Sequence, residues 1–228
     1  MQIILRGPSA GYEAEHVARL FFSEAVLAGS DCRLDDPTQD VVAAVDHSLA
    51  QLVYLRRNGD LFWLMETVDR DLAPKQREYA LCRMLYRLLC EHTGIRPPWG
   101  MMTGVRPVRI IHDMRDAGAT EADIERRFLQ EYDCTPKRFA TAMAIADLQR
   151  PVLEGSQPMD CSVYAGIPFC PTRCSYCSFV SRTVGDKSTR ALVEPYVDCL
   201  CRELTATRQA ADDCGLRVRT LYIGGGTP

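Results

Sequence analysis

The chain has 228 residues, with 27 Lys and Arg against 30 Asp and Glu, for a formal net charge of -3. Hydrophobic residues make up 46% and charged residues 25%, which suits one large or two small packed cores and excludes an intrinsically disordered chain. The slightly acidic balance gives no general pull toward nucleic acid or anionic membrane, and no apolar run approaches the ~20 residues of a spanning helix. The N-terminus lacks the charged-then-apolar layout of a signal peptide, so a cytoplasmic protein with neither membrane nor nucleic-acid partner is expected.

In chain order, Gln2 to Leu5 reads as a short strand followed by Gly7-Pro8. Gly11 to Phe22 reads as a helix whose apolar face is Ala14, Val17, Ala18, Phe21 and Phe22, and Asp35-Asp36-Pro37 breaks the pattern. Gln51 to Arg57 and Asp60 to Thr67 flank Asn58-Gly59, the pair that best supplies the two positive φ angles of a type I′ turn, so a β-hairpin is predicted. Pro74 to Thr93 carries Tyr79, Cys82, Leu85, Tyr86, Leu89 and Cys90 at helical spacing, with Gly94 as the stop.

Pro98 to His112, PWGMMTGVRPVRIIH, is expected to be a linker between helices and is suited to shaping a pocket. Thr120-x-x-Asp123 opens a helix in capping-box style, and Thr135-Pro136 opens another that runs to about Arg150. Pro151 to Pro158 is the linker candidate, dividing residues 1–155, an N-terminal α+β unit, from residues 156–228. Ser162 to Ile167 suits a buried strand. A helix with the stripe Leu192, Val193, Tyr196, Val197, Leu200 and Leu204 follows, stopping near Gly215, then a strand at Thr220 to Ile223. Strand, helix, strand is a βαβ unit with parallel strands, ending in Gly224-Gly225-Gly226-Thr227-Pro228, so the fold class is α/β.

Eleven cysteines in a chain of this size, odd in number, point to reduced thiols and not to a disulfide scaffold. Cys82, Cys90, Cys134, Cys199 and Cys201 fall in helical patterns, where a free Cys usually serves as a small buried hydrophobe. The chemistry concentrates in YAGIPFCPTRCSYCSFVS, where Cys170, Cys174 and Cys177 have C-x3-C-x2-C spacing. Three thiolates so placed suit three irons of a [4Fe-4S] cluster and leave the fourth iron free. A zinc site is the weaker alternative, since no His lies in this half of the chain; Cys161, Cys199, Cys201 and Cys214 are alternatives for a fourth ligand. Three glycines after a parallel strand leave backbone groups accessible at the carboxyl edge, where α/β sheets bind ligands.

The cysteine spacing, with Tyr176 between the last two cysteines, resembles the signature of the radical S-adenosylmethionine enzymes. In that family the open iron chelates the methionine moiety, and the reduced cluster cleaves the sulfonium to give a 5′-deoxyadenosyl radical. YAGIPFCPTRCSYCSF with YIGGGTP looks like the oxygen-independent coproporphyrinogen III oxidase (dehydrogenase) group, and PPWGMMTGVRPVRII is similar to its HemZ type.

The resemblance implies metal ligation by Cys170, Cys174 and Cys177, and S-adenosylmethionine contacts from Gly224, Gly225, Gly226 and Thr227. Tyr164 matches a tyrosine near cluster and cofactor, and Phe179 is a candidate to cover the adenine; no catalytic residue is assigned. The implied reaction is oxidative decarboxylation of two propionates of coproporphyrinogen III to vinyl groups in porphyrin and haem biosynthesis, with an electron donor such as flavodoxin or ferredoxin. Arg106 and Arg109 are candidates for substrate carboxylates, against the alternative of solvated or interdomain salt bridges, and Arg173 for tuning cluster charge.

Two positions differ from this pattern: Gly166 stands where many relatives have His, and Phe179 where the best-established dehydrogenases have a further Cys. A related haem chaperone, or a radical enzyme with another substrate, is the alternative reading. The expected architecture is the α+β unit followed by the first βαβ unit of a partial TIM-like barrel. That barrel would be incomplete at the C-terminus, so the 228 residues alone are expected to be inactive.

Overall fold

A computed structural model describes residues 1–28, 38–69, 71–179 and 181–227. The break expected at Asp35-Asp36-Pro37 and the terminal Pro228 lie outside these residues. The chain divides into two compact units, Met1–Arg150 and Pro151–Pro228.

The first unit is built on a five-stranded sheet of order β2-β1-β3-β4-β5, comprising β1 (Gln2–Arg6), β2 (Val26–Leu27), β3 (Val41–Asp46), β4 (Ala50–Arg57) and β5 (Asp60–Thr67). β1 is parallel to β2 and β3, whereas β3-β4 and β4-β5 are antiparallel. Asn58 and Gly59 have φ of 54° and 89°, so the predicted hairpin turns through two left-handed residues.

Sequence reading did not find β3. Val41, Val42, Ala43 and Ala44 are all buried, so the strand has no period-2 alternation to reveal it. One sheet face, with Ile3, Val42, Ala44, Val53 and Leu55, packs with α1 (Tyr12–Arg19) and α2 (Pro74–Thr93). Gly94 ends α2 in the left-handed region at φ 70°.

Asp46 anchors this packing. Its carboxylate accepts from Arg77 Nη2 at 2.7 Å, Gln51 Nε2 at 3.0 Å and the Ser9 amide at 3.2 Å. Burial alone would raise its pKa, but these bonds, from Arg77 first, outweigh burial and hold the carboxyl below its ordinary range.

The rest of the unit is helical: α3 (Pro107–Asp116), α4 (Glu121–Arg126), a π-helical turn over Arg127–Glu131, and α5 (Pro136–Glu154). Ile111, Ile124, Phe128, Ala142 and Ala146 form their shared core. Thr120 and Asp123 make the predicted capping box.

Two expectations are corrected here. The segment from Pro98 is a linker only as far as Arg106, because Pro107 starts α3 at the position where a missing N–H does no harm. The other concerns α5, which does not stop at Arg150 but continues through Pro151 to Glu154; a proline there removes one helix bond without ending the helix. Gly100 has φ 62°, and a Cβ on it would stand 1.7 Å from the Tyr132 carbonyl, so only glycine lets the chain turn there. The turn presents Met101, Met102, Thr103 and Val105 to a cleft of about 600 Å³ shared with Tyr79 and Tyr132.

The second unit pairs β6 (Asp160–Ile167) with β9 (Arg217–Gly225) in parallel, as the βαβ reading predicts. α6 (Lys187–Arg190) and α7 (Val193–Asp213) lie between them in sequence. The expectation of a buried first strand is overturned, because Ala165 is the one residue of β6 that is buried. Among the described residues, no helix is long and apolar enough to cross a membrane.

Candidate functional site

The candidate site grows from the carboxyl ends of β6 and β9. After Ile167 the chain passes through Pro168 into β7 (Phe169–Cys170), which pairs with β8 (Arg182–Thr183) and so closes the base of the cysteine loop. Arg182 and Val184 donate their amides to the carbonyls of Pro168 and Cys170 at 2.8 and 2.9 Å. Within the loop the Cys177 amide donates to the Cys174 carbonyl at 3.1 Å, forming a tight turn. All three cysteines are free thiols; Cys174 is exposed and the other two are half-buried.

The glycine segment lies directly against this base. The Gly226 amide donates to the Ile167 carbonyl at 2.6 Å, and the Thr227 amide to that of Phe169 at 2.8 Å. Gly225 takes φ 111°, and a Cβ on Gly226 would meet Phe169 O at 2.3 Å and Cys170 Sγ at 2.9 Å. Sequence reasoning put the glycines and the cysteines at one end of the sheet; the structure brings Gly226 and Cys170 into contact.

Two further groups brace the loop. Tyr196 of α7 donates its phenol to the Gly166 carbonyl and meets the Phe169 ring edge-on, with centroids 5.3 Å apart. Asp186 caps α6. Bonds from the Ser188 hydroxyl and the Thr189 amide hold its carboxyl down to about 2. Neither role was legible in the sequence, where Tyr196 is one member of an apolar stripe. Phe169, Cys170, Val184, Tyr196 and Thr227 line a cavity of about 520 Å³.

Other predicted residues are more scattered. Tyr164 stacks on Tyr222 of β9, a residue not singled out from sequence. Phe179 is 61% exposed. Arg109 is committed to Asp113 at 2.7 Å on the surface of α3, which is the solvated salt-bridge alternative. Arg106 is exposed just before that helix, and Arg173 is exposed within the loop. Cys82 is buried, and burial pushes its thiol up to about 12, as expected of a packing cysteine. Cys199 and Cys201 depart from that expectation, because both are exposed on α7.

Among the described residues no three His, Cys, Asp or Glu side chains are gathered as a metal-binding group. The donor set itself fits an iron-sulfur cluster: three unpaired soft thiols lie on one short loop, and the first lies against backbone that only glycine permits.

The chain is 26% identical over 222 residues to the oxygen-independent coproporphyrinogen-III oxidase-like protein HemZ of Bacillus subtilis, covering 94% of this chain and 44% of that protein. It is 36% identical over 76 residues to the heme chaperone HemW of a Synechocystis species, covering 32% of this chain and 18% of that protein. It is also 29% identical over 80 residues to anaerobilin synthase of Escherichia coli, covering 35% of this chain and 17% of that protein. The chain thus spans less than half the length of each of these relatives. No protein-family profile matches it, and no solved structure matches it significantly. Together these likenesses point to the HemZ-type group of the radical S-adenosylmethionine proteins.

Proposed function

We propose that the chain carries the cluster-binding and cofactor-binding part of a radical S-adenosylmethionine oxidoreductase. Its substrate is coproporphyrinogen III, converted without oxygen to protoporphyrinogen IX. Cys170, Cys174 and Cys177 would hold a [4Fe-4S] cluster, and β6, α7 and β9 would form the first βαβ unit of its partial barrel. Gly224, Gly225, Gly226 and Thr227 would lie beside the cofactor. When bound, cluster and cofactor together supply reductive cleavage of a sulfonium and hydrogen abstraction from the substrate.

The protein's share is positioning. The observation that carries the reading is the contact of Gly226 with Cys170 at the head of the C-x3-C-x2-C loop, which ties the glycine segment to the first thiolate. Tyr196, bonded to the Gly166 carbonyl, fixes the chain entering that loop. Similarity to HemZ along nearly the whole chain supports a tetrapyrrole substrate.

Anaerobic reconstitution with iron and sulfide tests the proposal. Wild-type protein is expected to take up about four irons per chain, and the Cys170→Ala, Cys174→Ala, Cys177→Ala triple variant close to none. Equal uptake by both would end the cluster reading. In full-length protein with cluster, reductant, S-adenosylmethionine and coproporphyrinogen III present, 5′-deoxyadenosine and protoporphyrinogen should appear together. Haem binding without turnover would instead assign the chain to the chaperone function that HemW's name describes.

A further inference from the structure

The parallel register of β6 and β9 sets Tyr164 opposite Tyr222, and their rings stack with centroids 5.4 Å apart at 24°. Alternation places both on one sheet face with Gly166 and Gly224, while Ala165, between them in sequence, is buried on the other face. Both rings are exposed, Tyr164 at 56% and Tyr222 at 66%. They also lean along the strands. A Cβ on Gly224 would stand 2.6 Å from Tyr222 Cε1, and one on Gly166 3.2 Å from Tyr164 Cε1. The two glycines therefore give the rings room to lie toward the strand ends, where the cysteine loop and Gly226 begin.

A stacked aromatic pair gains most when its faces are desolvated, and a phenol adds a donor at the edge of an apolar surface. Neither phenol oxygen has a hydrogen-bond partner among the described residues. The pair therefore offers ring faces, two O–H donors and a position beside the candidate cluster loop. Those features match an apolar ring compound with carboxylate arms, the ring lying against the phenols and the hydroxyls donating to a carboxylate.

We propose that Tyr222, with Tyr164 stacked on it, is a substrate-positioning platform that takes a pyrrole ring and its propionate from the tetrapyrrole. This rests on the tetrapyrrole reading above and adds a residue which that reading does not include. Tyr222 contacts the substrate and not the cofactor, which distinguishes it from Gly225 and Gly226.

The test is equilibrium binding of coproporphyrin III, the stable oxidised form of the substrate, to reconstituted wild-type, Tyr222→Phe and Tyr222→Ala protein. S-adenosylmethionine binding and iron content are measured on the same samples. Loss of the ring should weaken coproporphyrin III binding by about tenfold, while loss of the hydroxyl alone should weaken it by about threefold. Iron content and S-adenosylmethionine affinity should not move, which a merely structural role would not predict. Equal coproporphyrin III affinity in all three proteins would overturn the platform and leave the tetrapyrrole reading standing. A matched loss of S-adenosylmethionine affinity would overturn it by giving Tyr222 to the cofactor. Failure of wild-type protein to bind coproporphyrin III would overturn both.

Discussion

A Cβ on Gly226, 2.3 Å from a carbonyl oxygen and 2.9 Å from Cys170 Sγ, is closer than packed atoms tolerate, and both neighbours are held by the pairing of β7 with β8. Backbone cannot give way as the end of a flexible side chain can. Gly226→Ala is therefore expected to displace the Phe169-Cys170 segment, destabilise the second unit by about 1–3 kcal/mol and lower iron incorporation on reconstitution. Gly185→Ala is the control, since a Cβ there meets nothing within 4 Å. Iron analysis and urea melts of the two variants check this, and equal behaviour would remove Gly226 from the site. The cysteine spacing was legible because ligand geometry is local in sequence. The stacking of Tyr164 on Tyr222 was not, because it depends on which residue of β9 faces which residue of β6.

At the level of elements, the start of the β6-β9 pair is pinned by Asp160. Its carboxylate takes Arg217 Nε at 2.7 Å and Nη2 at 3.0 Å, and also accepts the Gln157 amide at 2.9 Å. Arg217 first, then the amide, holds this carboxyl down to about 2 from an ordinary 3.8. A depressed carboxyl stabilises the fold above its unfolded pKa and loses that contribution as pH falls through the folded value. Asp160→Asn should therefore be less stable than wild type at pH 7, with the gap closing between about pH 4 and about pH 2. Thermal melts of both proteins across that range check the sign; a gap that widens on acidification would refute it.

The elements readable in advance were those with local chemistry: the Asn58-Gly59 turn, the Thr120-Asp123 cap, and α2 with its Gly94 stop. β3 and the π-helical turn at Arg127–Glu131 were missed because burial on both faces, or a single extra residue in a turn, leaves no periodic trace.

Across the whole chain, burial is unevenly shared. The first unit packs its sheet between Ile3, Val53, Leu81 and Leu85 on one face and Ile4, Val41 and Tyr54 on the other, and adds a separate helical core. Among the described residues of the second unit, only Ala165, Phe169, Thr189, Ala211 and Gly224 are buried, while Leu221, Tyr222 and Ile223 of β9 are each more than half exposed. A two-stranded sheet has two edges and little area to offset the entropy of ordering it. Local opening should therefore be far easier in the second unit than in the first. In hydrogen exchange, amides of β3, β4 and α2 are expected to exchange at least roughly a hundredfold more slowly than those of β6 and β9. Binding to the folded state stabilises it in proportion to ligand occupancy, so cluster loading and coproporphyrin III should slow exchange in β6, β9 and the cysteine loop and leave β3 unchanged. Equal protection of the two units in the unliganded protein would mean that the second unit's stability has another source than its own burial. Slowing by ligand that appears in β3 instead would move the binding site to the first unit.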